Sequence, residues 1–212
     1  MSSETLEPQR TSPARVLFTQ GEIQRQVDEL AGRLESSLAD GEVPILVGLM
    51  RGSLVLMADL VRRLSSVHVD FLSLSRFSQS ESGSGRARIE KDLEIDITGR
   101  RIIFVEDVVD TGLTLSYLTS SFEARNPKSI EVLALLDKRA RRIIDIPIDF
   151  AGFEIGDEFV LGYGLDYAQL YRNVPFLFGV DDLDVLVRQP DAYFSFAREL
   201  MRGGEEAQQA AK

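Results

Sequence analysis

Cysteine is absent from the 212-residue chain, and histidine occurs once, at His68. The first absence excludes disulfides, thiolate metal sites and cysteine nucleophiles. The second excludes zinc centres built on several imidazoles, and any serine triad would depend on His68 alone. No apolar run approaches the roughly 18 residues that span a bilayer. Basic residues are in deficit: 24 Lys and Arg stand against 34 Asp and Glu, a formal net charge of −10. A surface of that sign repels polyphosphate backbones, so neither nucleic acid nor a membrane is an expected partner. Chemistry must rest on carboxylates, lysine, arginine, hydroxyls, backbone amides or a bound hard cation.

What is present is a globular composition, 44% hydrophobic and 27% charged, at a length that favours one domain of ordinary size, or one domain carrying an appendage. Residues 1–15 carry Pro8 and Pro13 but no apolar signal-peptide core, and read as a loose leader of a soluble, cytoplasmic protein. Thr19 and Glu22 fit a capping box for a helix over about 20–38, with Ile23, Val27, Leu30 and Leu34 on one face. The run from Pro44 to Met50 has the pattern of a strand buried on both faces, and a helix is expected over 52–64. Val67, Val69 and Phe71 alternate with His68 and Asp70 in a half-exposed strand, where His68 reads as structural. The segment 78–85, SQSESGSG, has the composition of a mobile loop. Further strands are expected at 101–105, 129–136, 147–153, 159–161 and 176–180, and helices at 113–124 and 191–202, with a frayed tail after Gly203.

Alternation of strands and helices at this spacing predicts an α/β fold: a mainly parallel twisted sheet flanked by helices. Ligands of such sheets sit beyond the carboxyl ends of the strands. Those ends are Met50-Arg51-Gly52, Ser75-Arg76-Phe77, Glu106-Asp107 and Asp137-Lys138, and they collect most of the chemically capable side chains.

The most informative stretch is RIIFVEDVVDTGLTLSYL, Arg101 to Leu118. A strand runs into paired acids, Glu106 and Asp107, then an apolar pair, then Asp110-Thr111-Gly112-Leu113-Thr114 and a helix. Gly112 can adopt a positive φ that turns successive amides inward. Those amides, the helix N-terminus and the hydroxyls of Thr111 and Thr114 make an anion cradle. Each hydrogen bond to a charged phosphate contributes roughly 1.5–3 kcal/mol, so several converging donors hold a monophosphate without a lysine. The acids would repel phosphate unless they face ribose hydroxyls or a cation, so the unit reads as a ribose-5-phosphate site. The GxxxxGK[ST] pattern of a nucleotide-kinase P-loop is absent.

VEDVVDTGLTL resembles the signature of the type I phosphoribosyltransferases. VGLMRGS at 47–53, VDFLSLSRF at 69–77, LLDKR at 135–139 and FVLGYGLDYAQLYRNVPF at 159–176 resemble segments of the hypoxanthine-guanine branch. The likeness covers about residues 15–180. It implies a phosphoribosyltransferase domain over 16–180 with a small hood drawn from parts of the N-terminal and 140–180 segments, followed by an extension over 181–212. The implied reaction transfers ribose 5-phosphate from phosphoribosyl diphosphate to N9 of a 6-oxopurine, with Mg2+ as cofactor.

By the same resemblance, Glu106 and Asp107 hold the ribose hydroxyls, and residues 110–114 hold the 5-phosphate. Asp110 serves as general base toward the purine N7. Lys138 reads the 6-oxo group, Phe159 stacks on the ring and Val160 offers backbone groups to its edge. Asp166, with Glu106 and Asp107, is assigned to magnesium, while Arg51, Gly52 and Arg172 are assigned to pyrophosphate. A cis Met50–Arg51 peptide is expected.

Three places depart from the branch's pattern, one of them the C-terminal end after Phe178, which lengthens beyond it. Arg51 stands where a lysine is common, and Arg76 and Phe77 replace the usual Ser-Tyr pair at the root of the flexible loop. A transferase for another base (xanthine or a pyrimidine) and a non-catalytic sensor of nucleotides or phosphoribosyl diphosphate remain as alternatives. A homo-oligomer, dimer or tetramer, is expected, with Tyr193, Phe194, Phe196 and Leu200 of the extension as the contact.

Overall fold

In chain order, the computed structural model, which describes residues 14–76 and 87–212, contains β1 (Ala14–Phe18), α1 (Gln20–Ser37), β2 (Ile45–Met50), α2 (Leu54–Val61), β3 (His68–Arg76), β4 (Ala87–Lys91) and β5 (Arg101–Val109). It continues with α3 (Leu113–Glu123), β6 (Ser129–Asp137), a 3-10 turn (Arg139–Arg141), β7 (Phe150–Glu154), β8 (Phe159–Leu161), β9 (Leu177–Val180), α4 (Leu183–Arg188) and α5 (Phe194–Ala210). The chain divides into two compact units, one of Gly21–Asp157 and one of Glu158–Lys212 with the described residues up to Gln20.

The larger unit is a six-stranded sheet in the order β4-β3-β2-β5-β6-β7. The pairings β2–β3, β2–β5, β5–β6 and β6–β7 are parallel, and only β4 runs antiparallel, against β3. Ile45, Val47, Ile102, Phe104, Val132 and Ala134 of the central strands are buried in one cluster with Leu115, Leu118 and Phe122 of α3. Full burial of such side chains contributes about 1.5–3 kcal/mol each. Phe104 and Phe122 meet edge to face at 5.4 Å. On α1, Ile23, Val27, Leu30, Ala31 and Leu34 form the buried stripe that its heptad-like spacing predicts.

The chain leaves β2 for β3 on one side and returns to β5 on the other, so the strand order reverses between β2 and β5. That reversal is where a doubly wound sheet opens a crevice at its carboxyl edge. At the opposite edge, Arg101 is only 9% exposed. Its guanidinium donates to both Glu131 oxygens, at 2.8 and 2.6 Å, and to the Ser37 carbonyl at 3.0 Å. Glu42 and Lys128 extend this network.

The smaller unit is a three-stranded antiparallel sheet, β1-β9-β8. The extension packs on it: Leu186, Tyr193, Ala197 and Leu200 share a buried cluster with Val16, Phe176, Phe178 and Val180. The tail after Gly203, expected to fray, instead stays helical to Ala210, with a kink at Gly204 (φ 67°, ψ −157°). The reason is tertiary: Gln208 is 2% exposed and its side-chain oxygen accepts the Gln20 amide at 2.9 Å, while Ala211 O accepts the Val16 amide at 2.9 Å. The start of the expected loose leader is likewise corrected, since Ala14 and Arg15 lie in β1, paired with Val180 and Gly179.

Candidate functional site

In the larger unit, β5 carries the acids. It does not stop at Val105 as the apolar run suggests. Glu106 through Val109 continue the ladder against Ala134 through Asp137 of β6. Glu106 and Asp107 therefore sit on a rigid strand, half-buried, with Asp107 Oδ1 accepting the Val108 amide at 2.9 Å. Both acids line a small cavity of about 140 Å³ together with Met50, Gly52 and Thr114, at the strand-order reversal. The expected cis Met50–Arg51 peptide is present. Gly52 admits no other residue without rearrangement: a Cβ there would stand 1.6 Å from Asp107 Oδ2. The backbone after β2 thus lies directly against the carboxylate at the end of β5.

The turn after β5 has the form the sequence predicts. Gly112 is the N-cap of α3 at φ 81°, left-handed, and a Cβ there would meet Ile144 O at 2.6 Å. The Ile143 and Ile144 amides, at 3.0 and 3.1 Å, both donate to the Thr111 carbonyl, which aims the turn from outside. First-turn amides of a helix have no intrahelical acceptor, and Leu113 N–H reaches only Thr111 Oγ1 at 3.4 Å. The turn is therefore a donor-rich mouth closed from behind by residues 142–144.

Asp110 is half-exposed at the rim of this mouth, with Arg141 Nε 2.8 Å from its Oδ1. The oxygen is shielded, yet no N–H points along it closely enough to make a hydrogen bond, so the contact is an ion pair of poor direction. Lys138 is 7% exposed at the end of β6, its amide fixed to Val109 O at 2.9 Å. Arg142 pairs with Asp137. Sequence reasoning missed Arg141 and the carbonyl clamp of Ile143 and Ile144. The cluster Arg139, Arg141, Arg142 after Lys138 was the available signal for the former; the latter, being backbone, left none.

In the smaller unit, Phe159 and Val160 lie on β8, Val160 buried and the Phe159 ring edge to face with Tyr167 at 6.0 Å. Asp166 and Arg172 share one hairpin and pair at 2.8 Å. Asp166 Oδ2 also accepts the Gln169 amide at 2.8 Å, and Arg172 Nη1 donates to Gly164 O at 2.6 Å. Arg172 Nε is shielded and has no acceptor among the described residues. Arg51 is exposed in the turn after β2. Arg76 closes β3, its backbone opposite Ala87; Phe77 and the loop 78–85 lie outside the described residues.

The profile of the phosphoribosyl transferase domain matches residues 17–168. The chain belongs to the phosphoribosyltransferase family, in its hypoxanthine-guanine branch. It is 44% identical over 164 residues to the hypoxanthine-guanine phosphoribosyltransferase of Bacillus subtilis, covering 77% of this chain and 91% of that one. With the hypoxanthine phosphoribosyltransferase of Escherichia coli K12 it shares 42% over 171 residues, 80% of this chain and 96% of the relative. Among solved structures, a ternary substrate complex of a mutant hypoxanthine phosphoribosyltransferase from Trypanosoma cruzi superposes with a TM-score of 0.75 at 33% identity, over 81% of this chain and 96% of that one. Both sequence relatives and structural neighbours thus leave about a fifth of this chain unmatched.

Proposed function

We propose that the chain is a purine-salvage enzyme that transfers the 5-phosphoribosyl group from phosphoribosyl diphosphate to N9 of hypoxanthine or guanine, giving IMP or GMP and pyrophosphate. The observation that carries this is the juxtaposition on β5 and α3: two strand-held acids beside a left-handed glycine turn rich in donors. The turn suits the 5-phosphate and the acids suit the two ribose hydroxyls. As the bond to pyrophosphate breaks, positive charge grows on the sugar, and carboxylates fixed in place beforehand stabilise it without reorganising.

Asp110 is assigned as the general base that takes or shares the N7 proton. Its partner Arg141, 2.8 Å from the carboxylate, must yield when base binds. Lys138, held nearly buried at the end of β6, is assigned to the 6-oxo oxygen. That contact rejects adenine, whose amino group would leave the ammonium facing a donor. Phe159 and Val160 are assigned to the ring and its edge. Arg51, the Gly52 amide and Arg172 are assigned to pyrophosphate, and the shielded Arg172 Nε is a donor still to be satisfied.

The donor set fits magnesium. Glu106, Asp107 and Asp166 supply only oxygen, the ligand type a small hard cation takes. Such an ion retains waters and takes diphosphate oxygens rather than entering an all-protein cage. Bound magnesium would neutralise charge on the diphosphate. No helix of the described residues is long and apolar enough to cross a membrane, and a cytoplasmic site of action goes with the proposal. Of the residues expected at an oligomer contact, Tyr193 and Leu200 are instead buried within the chain; exposed Leu183, Val187 and Met201 on the extension support a homo-oligomer, which sedimentation of the full chain tests.

The function is tested by incubating the protein with magnesium and phosphoribosyl diphosphate and each of hypoxanthine, guanine, xanthine, adenine and uracil, following pyrophosphate release. Turnover with hypoxanthine or guanine but not adenine or uracil is expected. Turnover restricted to another base moves the assignment to that base, and none with any base leaves a sensor of phosphoribosyl diphosphate.

A further inference from the structure

The segment 181–212 has no part in the reaction just described, yet it supplies both hydrogen-bond partners of the hydroxyl on the residue that precedes Arg172. Tyr171 immediately precedes Arg172, in a hairpin where Tyr163, Ala168, Gln169 and Tyr171 all have positive φ (47°, 49°, 67° and 75°). Bulky residues enter that region only when their surroundings hold them there. Tyr171 is 2% exposed. Its ring meets Phe194 of α5 edge to face at 5.1 Å, and Phe178 of β9 at 5.7 Å. Its hydroxyl donates to Pro190 O at 2.8 Å and accepts the Tyr193 amide at 3.1 Å.

A phenol has one proton to give and its oxygen to offer. Here both are taken by one short connection, that between α4 and α5. The connection is itself fixed by Gln189 N–H to Val185 O, Ala192 N–H to Gln189 O and Phe194 N–H to Asp191 O. On the other side of Tyr171, Arg172 O accepts the Gly164 amide at 3.0 Å, and the guanidinium reaches Gly164 O and Asp166.

We infer that the C-terminal segment is a positioning element for the reaction: through the Tyr171 hydroxyl it fixes the backbone from which Arg172 meets pyrophosphate. Tyr171 touches no reacting atom. This rests on the reading of Arg172 as a pyrophosphate contact, and it adds that the contact's geometry is set from outside the hairpin.

The experiment uses the full chain and runs the reaction in reverse, from nucleoside monophosphate and pyrophosphate. Tyr171→Phe keeps the ring and deletes the hydroxyl. It should raise the KM for pyrophosphate about tenfold while the KM for the nucleotide stays within about twofold. Phe194→Ala, at a half-exposed position, should shift the pyrophosphate KM in the same direction by less, and guards against a Tyr171 variant that does not fold. A residue that merely fills the core would lower thermal stability and leave the ratio of the two KM values unchanged, and that result overturns the inference. Arg172→Ala is the control. If it raises the pyrophosphate KM and the other two variants do not, the inference falls and the role of Arg172 stands. If Arg172→Ala leaves that KM unchanged, the role of Arg172 falls and the inference falls with it.

Discussion

Replacing Gly52 by alanine alters no hydrogen-bonding group, since the amide assigned to pyrophosphate survives. The added methyl nevertheless lands 1.6 Å from Asp107 Oδ2 and 2.4 Å from its Cγ, where carbon contacts normally settle near about 3.5 Å. The carboxylate has to swing by roughly 2 Å, which breaks its bond from the Val108 amide and removes it from the ribose position. Losing one hydrogen bond to a charged group costs about 1.5–3 kcal/mol. Spent on transition-state stabilisation, that is roughly a 10- to 150-fold fall in kcat/KM for phosphoribosyl diphosphate. The assay is initial pyrophosphate release at saturating hypoxanthine, with circular dichroism to establish that the variant is folded. The clash makes a second demand, because Asp107→Ala removes the obstructing oxygens. In that background Gly52→Ala should cost less than about threefold, a coupling that only contacting residues show. A Gly52→Ala enzyme with unchanged kcat/KM, or the same penalty in both backgrounds, would refute the reasoning.

Three further outcomes are expected. Asp110→Asn should lower turnover by about 10²–10⁴-fold, the usual worth of a positioned general base, while phosphoribosyl diphosphate binding by calorimetry changes little; equal losses in both would show the role misassigned. Gly112→Ala puts a Cβ against Ile144 O in a left-handed turn, and about 1–2 kcal/mol of backbone cost should appear as a lower Tm together with weaker nucleoside monophosphate binding in calorimetry. Glu42 is held down to about 2 from the usual 4.5, first by the hydrogen bond from Lys128 and then by the Ala39 amide. Its stabilising contribution is complete above its unfolded pKa and drains away as pH falls from about 4.5 through about 2. Glu42→Gln should thus lower Tm at neutral pH, with the difference from the parent closing across that window. A difference constant from pH 7 to pH 2 would rule the linkage out.

The central strands were legible because burial on both faces leaves a mark that needs no partner: Ile45–Met50 and the stretch Val132–Leu136 of β6 carry no polar side chain. The phosphate turn was legible because Gly112 and the two threonines encode a local conformation. Elements that depend on distant chain were not. β1 exists through β9, more than 150 residues away in sequence, and nothing in ARVLF declares it. The tail of α5 looked too polar to hold, yet Gln208 is buried because it caps the Gln20 amide. α2 starts at Leu54 rather than Gly52, because Ser53 turns its hydroxyl onto Leu49 O at 2.7 Å and the turn takes up residues 51–53. β4 alternates only Ala87 and Ile89 with Arg88 and Glu90, too short a run to stand out; its place beside β3 comes from ladder hydrogen bonds and from Ile89 against the core. In the site, types and spacing gave Asp110 and Lys138, whereas Arg141 became visible only when the 3-10 turn brought it to Asp110.

The Arg101 network and the acid pair occupy opposite ends of one strand. Arg101 to Asp107 spans roughly 20 Å of extended chain, a distance at which a unit pair interacts by under about 1 kcal/mol at an effective dielectric of about 20. Glu131 and Glu42 also offset the Arg101 charge locally, so the two ends are only weakly coupled. A protein engineer could rebuild Glu42, Lys128 and Glu131 to tune acid tolerance or heat resistance while the chemistry at the far edge goes on unaware of the change.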